Sequence, residues 1–364
     1  MTHVEKKHRI IFIDLMRAFA VLQMVQGHTV DALLADSFRD TSYPVYAVWH
    51  FMRGMTAPIF MFTSGIVFTY LFRLVNRPFF SNPRVFKGFK RFLLLVFLGY
   101  LLRYPTPFII DFSIVTPEGW QIFKTVDVLH LIGFSLLIIL ILSFISEVTK
   151  LGDYFTFIFS GFLIFGLHLY FEKINWSDFL PDFISGYFYT GNGSLFPIFP
   201  WAGFVILGAV LGSYLAKNPL AFRSAKFSQM LLIFGLGFLV IALLVFLYQT
   251  FIGVNDLFYT ETVSVILLRL GFVLCLNALV SYISLNVETI PKLFILVGRN
   301  TLLIYIVHLV IIFGSAWNPG LSLFFAKSFS VWPTVFAAVF MLFLMAIMVL
   351  LLDRYKIKSK QLVT

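Results

Sequence analysis

His28 follows Arg17 by eleven residues in an otherwise apolar run. On a helix turning 100° per residue, eleven residues return to within about 20° of the same face and rise about 16 Å, so the two side chains line one vertical path. Asp31 lies three residues beyond His28. At that offset its carboxylate can reach the imidazole, fix its tautomer and stabilise its charged form, which is what a general base needs. Two further pairs repeat the three-residue offset, His50 with Arg53 and Asp127 with His130. Placed by depth along the runs that carry them, His28, His50, His130 and His308 fall at one level, joined there by Arg53, Arg103 and Asp127. Polar groups converging from several segments mark a candidate site. The competing reading is an interfacial ring of amphipathic side chains solvated by lipid headgroups. His3 and His8 are read as uninvolved and His168 as structural.

Four charged residues, Asp14, Arg17, Arg269 and Arg299, lie inside or near the ends of apolar runs. Each costs about 2.5 to 3.5 kcal/mol at the centre of a membrane helix, so they must pair, snorkel or face a wet cavity. Asp14 and Arg17, three apart, share a helix face and can neutralise each other.

The elements that position these groups follow from composition. The chain has 364 residues, 60% hydrophobic and only 12% charged. An ordinary soluble domain is about 25% charged, which excludes that class here. Runs of spanning length fall at about 10–34, 44–72, 88–104, 125–147, 153–171, 195–216, 228–251, 259–286, 293–314 and 330–352. The expected fold is all-α, a polytopic integral membrane bundle of about ten transmembrane helices forming a single domain over 1–364. With the N-terminus inside, 18 of the 27 Lys and Arg fall in inner segments: Lys6 to Arg9, Arg73 to Arg91, Lys150, Lys217 to Lys226, Lys292 and Arg354 to Lys360. The positive-inside rule then places both termini in the cytoplasm. The net charge of +10 is therefore a topology signal, helped by anionic lipid, and calls for no nucleic-acid partner. The 47 Phe suit lipid contact. The lone Cys275 excludes a disulfide framework, and no Cys/His spacing suggests a metal site. Two outer loops are longest, 105–124 and 172–194; in the second, Thr190 to Ser194 reads as a flexible turn or part of a substrate entrance.

Several segments carry a resemblance. Arg9 through Arg17, followed by Gly27-His28, resembles the opening of membrane acyltransferases in which an Arg is followed after ten residues by His. Thr56 through Gly65 is similar to the second helix of the heparan-α-glucosaminide N-acetyltransferase group, and Asp127 through Gly133 to its fourth-helix segment. Phe199-Pro200-Trp201-Ala202-Gly203 with Gly208 and Gly212 resembles its Pro-Trp helix, and Gly298 through His308 a late-helix signature of these acyltransferases.

The resemblance implies transfer of an acyl group, usually acetyl, from cytosolic acyl-CoA to a sugar hydroxyl or amine across the membrane. It implies acetyl-CoA as co-substrate, a sugar or glycan acceptor of the cell envelope, membrane lipid as environment and the bacterial cytoplasmic membrane as location; a homodimer is left open. The group's catalytic histidine lies near the outer surface between the first two helices, a description that both His28 and His50 answer. Its accompanying Asn has only Gln26 as the nearest amide. Under this reading Asp14, Arg17, Arg73, Lys87, Arg91 and Arg299 hold the acyl-CoA, and Arg53, Arg103, Asp127, His130 and His308 meet the acceptor. His28 oriented by Asp31, or else His50, is the base, and Arg53 or His130 stabilises the oxyanion. Direct transfer and an acyl-histidine intermediate both fit. The rival from another class is a transporter or flippase for a lipid-linked sugar, using the same polar cavity without chemistry.

Overall fold

The computed structural model describes residues 10–253, 262–287 and 289–361, with side chains through 357. His3, Lys6, Lys7, His8 and Arg9, and the side chains of Lys358 and Lys360, lie outside these residues. Within them the chain is helical: α1 (Ile11–Leu33), α2 (Pro44–Arg73), α3 (Pro83–Leu102), α4 (Pro117–Lys124), α5 (Val128–Thr149), α6 (Asp153–Phe171), α7 (Asp182–Ser185), α8 (Ile198–Lys217), α9 (Ala225–Phe251), α10 (Val263–Leu285), α11 (Lys292–Arg299), α12 (Thr301–Phe313), α13 (Leu321–Phe325) and α14 (Val331–Gln361). A small antiparallel hairpin, β1 (Gly314–Ser315) with β2 (Asn318–Pro319), follows α12.

Helix starts are written locally. Pro44 and Pro83 open α2 and α3 at positions where a missing N–H costs nothing. The side chains of Asn82, Thr116, Asp127, Ser224 and Thr262 accept from first-turn amides of α3, α4, α5, α9 and α10.

Among the described residues, seven helices are long and apolar enough to cross a membrane, α4 and α5 being taken together, or eight if α11 and α12 form one bent span. α1 and α3 coincide with the predicted runs 10–34 and 88–104. Asp14, Arg17 and Asp31 in the first, and Arg84, Lys87, Lys90 and Arg91 in the second, lower their hydropathy, and they fall outside that set. The run 293–314, expected as a single span, bends by 77° between α11 and α12. Gly298 lets α11 cross α1 closely: a Cβ there would stand 2.8 Å from the Asp14 carbonyl oxygen. At the bend, the Asn300 side-chain amide donates to the Leu296 carbonyl at 2.8 Å, satisfying a group at the end of α11.

The centre of the bundle is set by close packing of backbones. A Cβ on Gly65 of α2 would stand 1.8 Å from the Val205 carbonyl oxygen of α8, and one on Gly208 of α8 2.1 Å from that of Phe62. Lipid offers no hydrophobic drive between helices, so small residues that admit this approach hold them together. Consistently, 78% of the apolar window of α8 is buried against 17% of that of α9, which places α8 inside and α9 at the lipid-facing edge. α1 is the other central helix, packed against α2, α10, α11, α12 and α14.

At the end of the bundle where α2 stops, Asp153 at the start of α6 gathers a buried polar knot. Arg73 donates to it at 2.5 Å, Ser146 and Ser213 each at 3.1 Å, and Lys217 lies 3.4 Å away. At the opposite end, the turn Thr190 to Ser194, expected to be flexible, is tied down. Thr190 donates through its backbone N–H and hydroxyl to Glu172, and the Ser194 hydroxyl accepts from the Val126 N–H at 3.3 Å.

Candidate functional site

A cavity of about 310 Å³ opens between α1, α2, α3, α5 and α12. The antiparallel course of these helices fixes its two ends. One end holds Arg17, Arg84, Lys87 and Arg91, four cations with no carboxylate in the lining. Its walls are then apolar, with Phe60, Phe68, Leu71, Leu95, Leu129, Ile132 and Leu136, and the far end carries Tyr305. On α3, Arg84 and Leu95 are eleven residues apart, about 16 Å of helix, which measures the depth from basic end to apolar end. Thr301 and Leu302, the uncapped first residues of α12, line the same space, so the positive end of that helix adds to the field of the cations.

Beyond Tyr305 stands a pair of histidines. The Tyr305 ring meets the His308 ring edge-on at 5.7 Å between centroids, and the His308 ring stacks on that of His28 at 5.3 Å with planes 13° apart. His308 Nδ1 lies 2.7 Å from the Ile304 carbonyl oxygen. A carbonyl only accepts, so the proton of that bond sits on His308 Nδ1. Neutral His308 then presents a lone pair at Nε2, and His28 Nδ1, 3.0 Å away, donates to it. The remaining nitrogen, His28 Nε2, carries a lone pair and has no hydrogen-bond partner among the described residues. The network thus fixes one tautomer in which a half-buried imidazole offers a free base.

Asp31 does not reach His28. Its carboxylate accepts from Arg53 Nε and lies 3.8 Å from Arg39, whose guanidinium also donates to the carbonyls of Asp31 at 2.7 Å and Leu34 at 2.8 Å. A charged partner outcompetes a neutral imidazole for a carboxylate, and Asp31 becomes part of a lock on the C-terminus of α1. His50 packs its ring on Tyr46 at 5.9 Å and makes no hydrogen bond to a described residue. Gln26 ties α1 to α2, accepting from Trp49 Nε1 at 2.9 Å.

Asp127, Arg103 and His130 form a second polar cluster. Arg103 Nε lies 3.4 Å from Asp127, and His130 Nδ1 lies 3.0 Å from the same carboxylate and accepts the Asp127 backbone N–H at 3.2 Å. The His130 ring is fully buried edge-on against Tyr100, whose hydroxyl meets that of Tyr187 at 3.1 Å. This arrangement caps α5 and packs it on α3.

Of the residues expected to hold acyl-CoA, Arg17, Lys87 and Arg91 line the cavity. Arg73 is engaged by Asp153 instead, and Arg299 is exposed at the α11–α12 bend, outside the lining. Asp14 sits where α11 crosses α1. Arg269, flagged as a charge within an apolar run, lies over the Trp201 ring at 5.0 Å. Arg84, from the basic run expected to meet the phosphates of CoA, also lines the cavity, whereas Tyr305 went unassigned in the sequence. The signal for Tyr305 was its offset of three residues from His308, which puts both on one face of α12.

The model of the heparan-alpha-glucosaminide N-acetyltransferase catalytic family matches residues 9–251, from the start of α1 through α9. The match takes in the cavity walls and His28; α12, with Tyr305 and His308, lies beyond it. No curated protein gives a significant match to the chain.

Proposed function

Because the chain belongs to the heparan-alpha-glucosaminide N-acetyltransferase catalytic family, we propose that it takes an acetyl group from acetyl-CoA and delivers it to a hydroxyl or amine of a cell-envelope sugar on the other side of the bacterial cytoplasmic membrane. The observation that carries this reading is one succession of groups: a cavity with a basic mouth and apolar walls that Tyr305 lines, and behind Tyr305, in ring contact with it, the His308–His28 pair. Arg17, Arg84, Lys87 and Arg91 suit the phosphates of a nucleotide thioester, and the apolar walls suit its slender pantetheine arm. Ten crossings with both termini in the cytoplasm would put the mouth on the side where acetyl-CoA is made.

In the proposed step, His28 Nε2 accepts the proton of the acceptor O–H or N–H as that atom attacks the thioester carbonyl. His28 Nδ1–H, held by His308, steadies the ring through the charge change. Collapse of the tetrahedral intermediate breaks the C–S bond, and the thiolate leaves with the proton from His28 Nε2. His28 is favoured over His50 as base by this hydrogen-bonded partner, which His50 lacks among the described residues.

The test uses purified full-length protein in lipid, labelled acetyl-CoA and a panel of amino sugars and sugar hydroxyl acceptors. Acetyl transfer is expected from the wild type and lost in His28→Ala. Full transfer by correctly inserted His28→Ala would refute the mechanism, and acceptor movement across the membrane without acetyl-CoA would favour a transporter.

A further inference from the structure

The cavity lining contains four hydroxyl side chains, and they are not equivalent. Thr63 donates to the Ile59 carbonyl at 2.7 Å and Ser64 to the Phe60 carbonyl at 2.8 Å, so both protons are spent inside α2. Thr301 stands in the first turn of α12, one helical turn nearer the basic mouth than Tyr305. Tyr305 is buried to 3% exposure, yet its hydroxyl has no hydrogen-bond partner among the described residues and is not sealed off from the cavity it lines. A buried phenol without a partner is costly unless something else accepts its proton. The cavity that Tyr305 lines gives such an acceptor a way in.

The cavity Tyr305 lines is walled by apolar side chains, Leu129, Ile132 and Leu95 among them, while the charges of Asp127 and Arg103 stand near enough to act on the phenol. A ligand that fills this cavity as far as Tyr305 suits the lining as a largely apolar arm with a compact acceptor at its tip. A phenolic O–H buried from bulk water donates more strongly than it would in water. On the other side, the Tyr305 ring leans on His308, which holds the base. The Tyr305 side chain thus borders both the cavity and the imidazole pair.

We propose that Tyr305 is a catalytic residue that donates its hydroxyl proton in a hydrogen bond to the carbonyl oxygen of the acyl thioester. The assignment rests on the donor reading above. In the ground state Tyr305 fixes the carbonyl at the end of the cavity. As the acceptor atom attacks the carbonyl carbon, the C=O pair moves onto oxygen, and the same O–H stabilises the oxyanion without transferring its proton. When the C–S bond breaks, the pair returns to the carbonyl and the thiolate takes its proton from His28. Removing one such donor lowers turnover by about 100- to 1,000-fold in comparable sites.

A binding experiment separates this assignment from the donor reading. Acetyl-CoA is compared with S-ethyl-CoA, a thioether of the same shape that lacks the carbonyl oxygen, by titration of purified full-length wild type and Tyr305→Phe. The wild type is expected to bind acetyl-CoA about three- to ten-fold more tightly than S-ethyl-CoA, the worth of one neutral hydrogen bond. Tyr305→Phe is expected to lose that preference while binding S-ethyl-CoA as the wild type does. Equal wild-type affinity for the two ligands, or a preference retained in Tyr305→Phe, overturns the role of Tyr305 and leaves the donor reading standing. Failure of the wild type to bind either ligand overturns both. Should Tyr305→Phe not fold, the wild-type preference and the variant Tyr305→Leu decide the matter.

Discussion

His28 Nδ1 and His308 Nε2 lie 3.0 Å apart across two helices whose residues are separated by 280 positions in the chain. The direction of this bond is set by a third group, the Ile304 carbonyl, which holds the only ring proton of neutral His308 at Nδ1. The pair therefore has one tautomeric arrangement, with His28 Nε2 as its free lone pair.

Removing the base itself is expected to cost the most. His28→Ala should lower acetyl transfer by about 100- to 10,000-fold, the usual worth of a positioned general base. Acetyl-CoA affinity should change little, because His28 lies outside the cavity lining. The measurement is turnover of labelled acetyl-CoA beside a titration of acetyl-CoA on the same preparation.

His308 acts through His28, so its loss should be milder and partly reversible. His308→Ala should reduce kcat by about 10- to 100-fold, as expected when a buried hydrogen bond loses one partner. His308→Gln, whose side-chain oxygen can accept from His28 Nδ1, should recover part of that loss. A purely packing role predicts no advantage of Gln over Ala.

The cations at the mouth should govern donor affinity. Arg91→Ala is expected to weaken acetyl-CoA binding by about 10- to 100-fold, the worth of one charge-assisted hydrogen bond, with kcat nearly unchanged. Arg73→Ala, at a residue engaged by Asp153 at 2.5 Å, should lower stability and leave the affinity intact. Calorimetric titration at two salt concentrations distinguishes the two.

The α2–α8 seam should tolerate no side chain. Gly208→Leu places a branched group where even a Cβ would stand 2.1 Å from the Phe62 carbonyl oxygen, and the two helices must part. Loss of folded protein, or a large fall in melting temperature in detergent, is expected. Gly237→Ala on α9, whose Cβ would meet nothing within 4 Å, is the control and should melt as the wild type does.

The knot around Asp153 should behave as a unit. Asp153→Asn leaves Arg73 and Lys217 without their counter-charge, a loss of about 3 kcal/mol for a mostly buried pair. In a double-mutant cycle with Arg73→Ala the effects should be less than additive. Full additivity would show that the contact carries no coupling.

Much of this protein was legible in its composition. A chain with 60% hydrophobic and 12% charged residues, gathered into apolar runs of about 20 residues, reads as membrane helices, because a helix of that length closes its backbone hydrogen bonds within its own segment, as lipid requires. Helix periodicity alone aligned Arg17 with His28, and the density of basic residues near α3 foretold the cavity mouth. The glycines of the Pro-Trp segment were visible as a motif, though their role, admitting the backbone of α2, was not.

What sequence spacing could not supply was which partner each polar group would choose. Asp31 sits three residues from His28, yet Arg53 and Arg39, brought in by α2 and the turn before it, take its carboxylate. Arg73 belongs to the basic run that was expected to hold a nucleotide, yet Asp153 from α6 claims it. His308, read as a contact for the acceptor, is the partner of His28, and Tyr305 beside it has a hydroxyl left for the cavity. The sequence by itself determined the bundle, the apolar faces and the residues able to carry charge, since these depend on local periodicity and transfer cost. Pairing was decided by the tertiary structure, because a hydrogen bond or ion pair forms within about 3 Å and helices far apart in the chain set those distances.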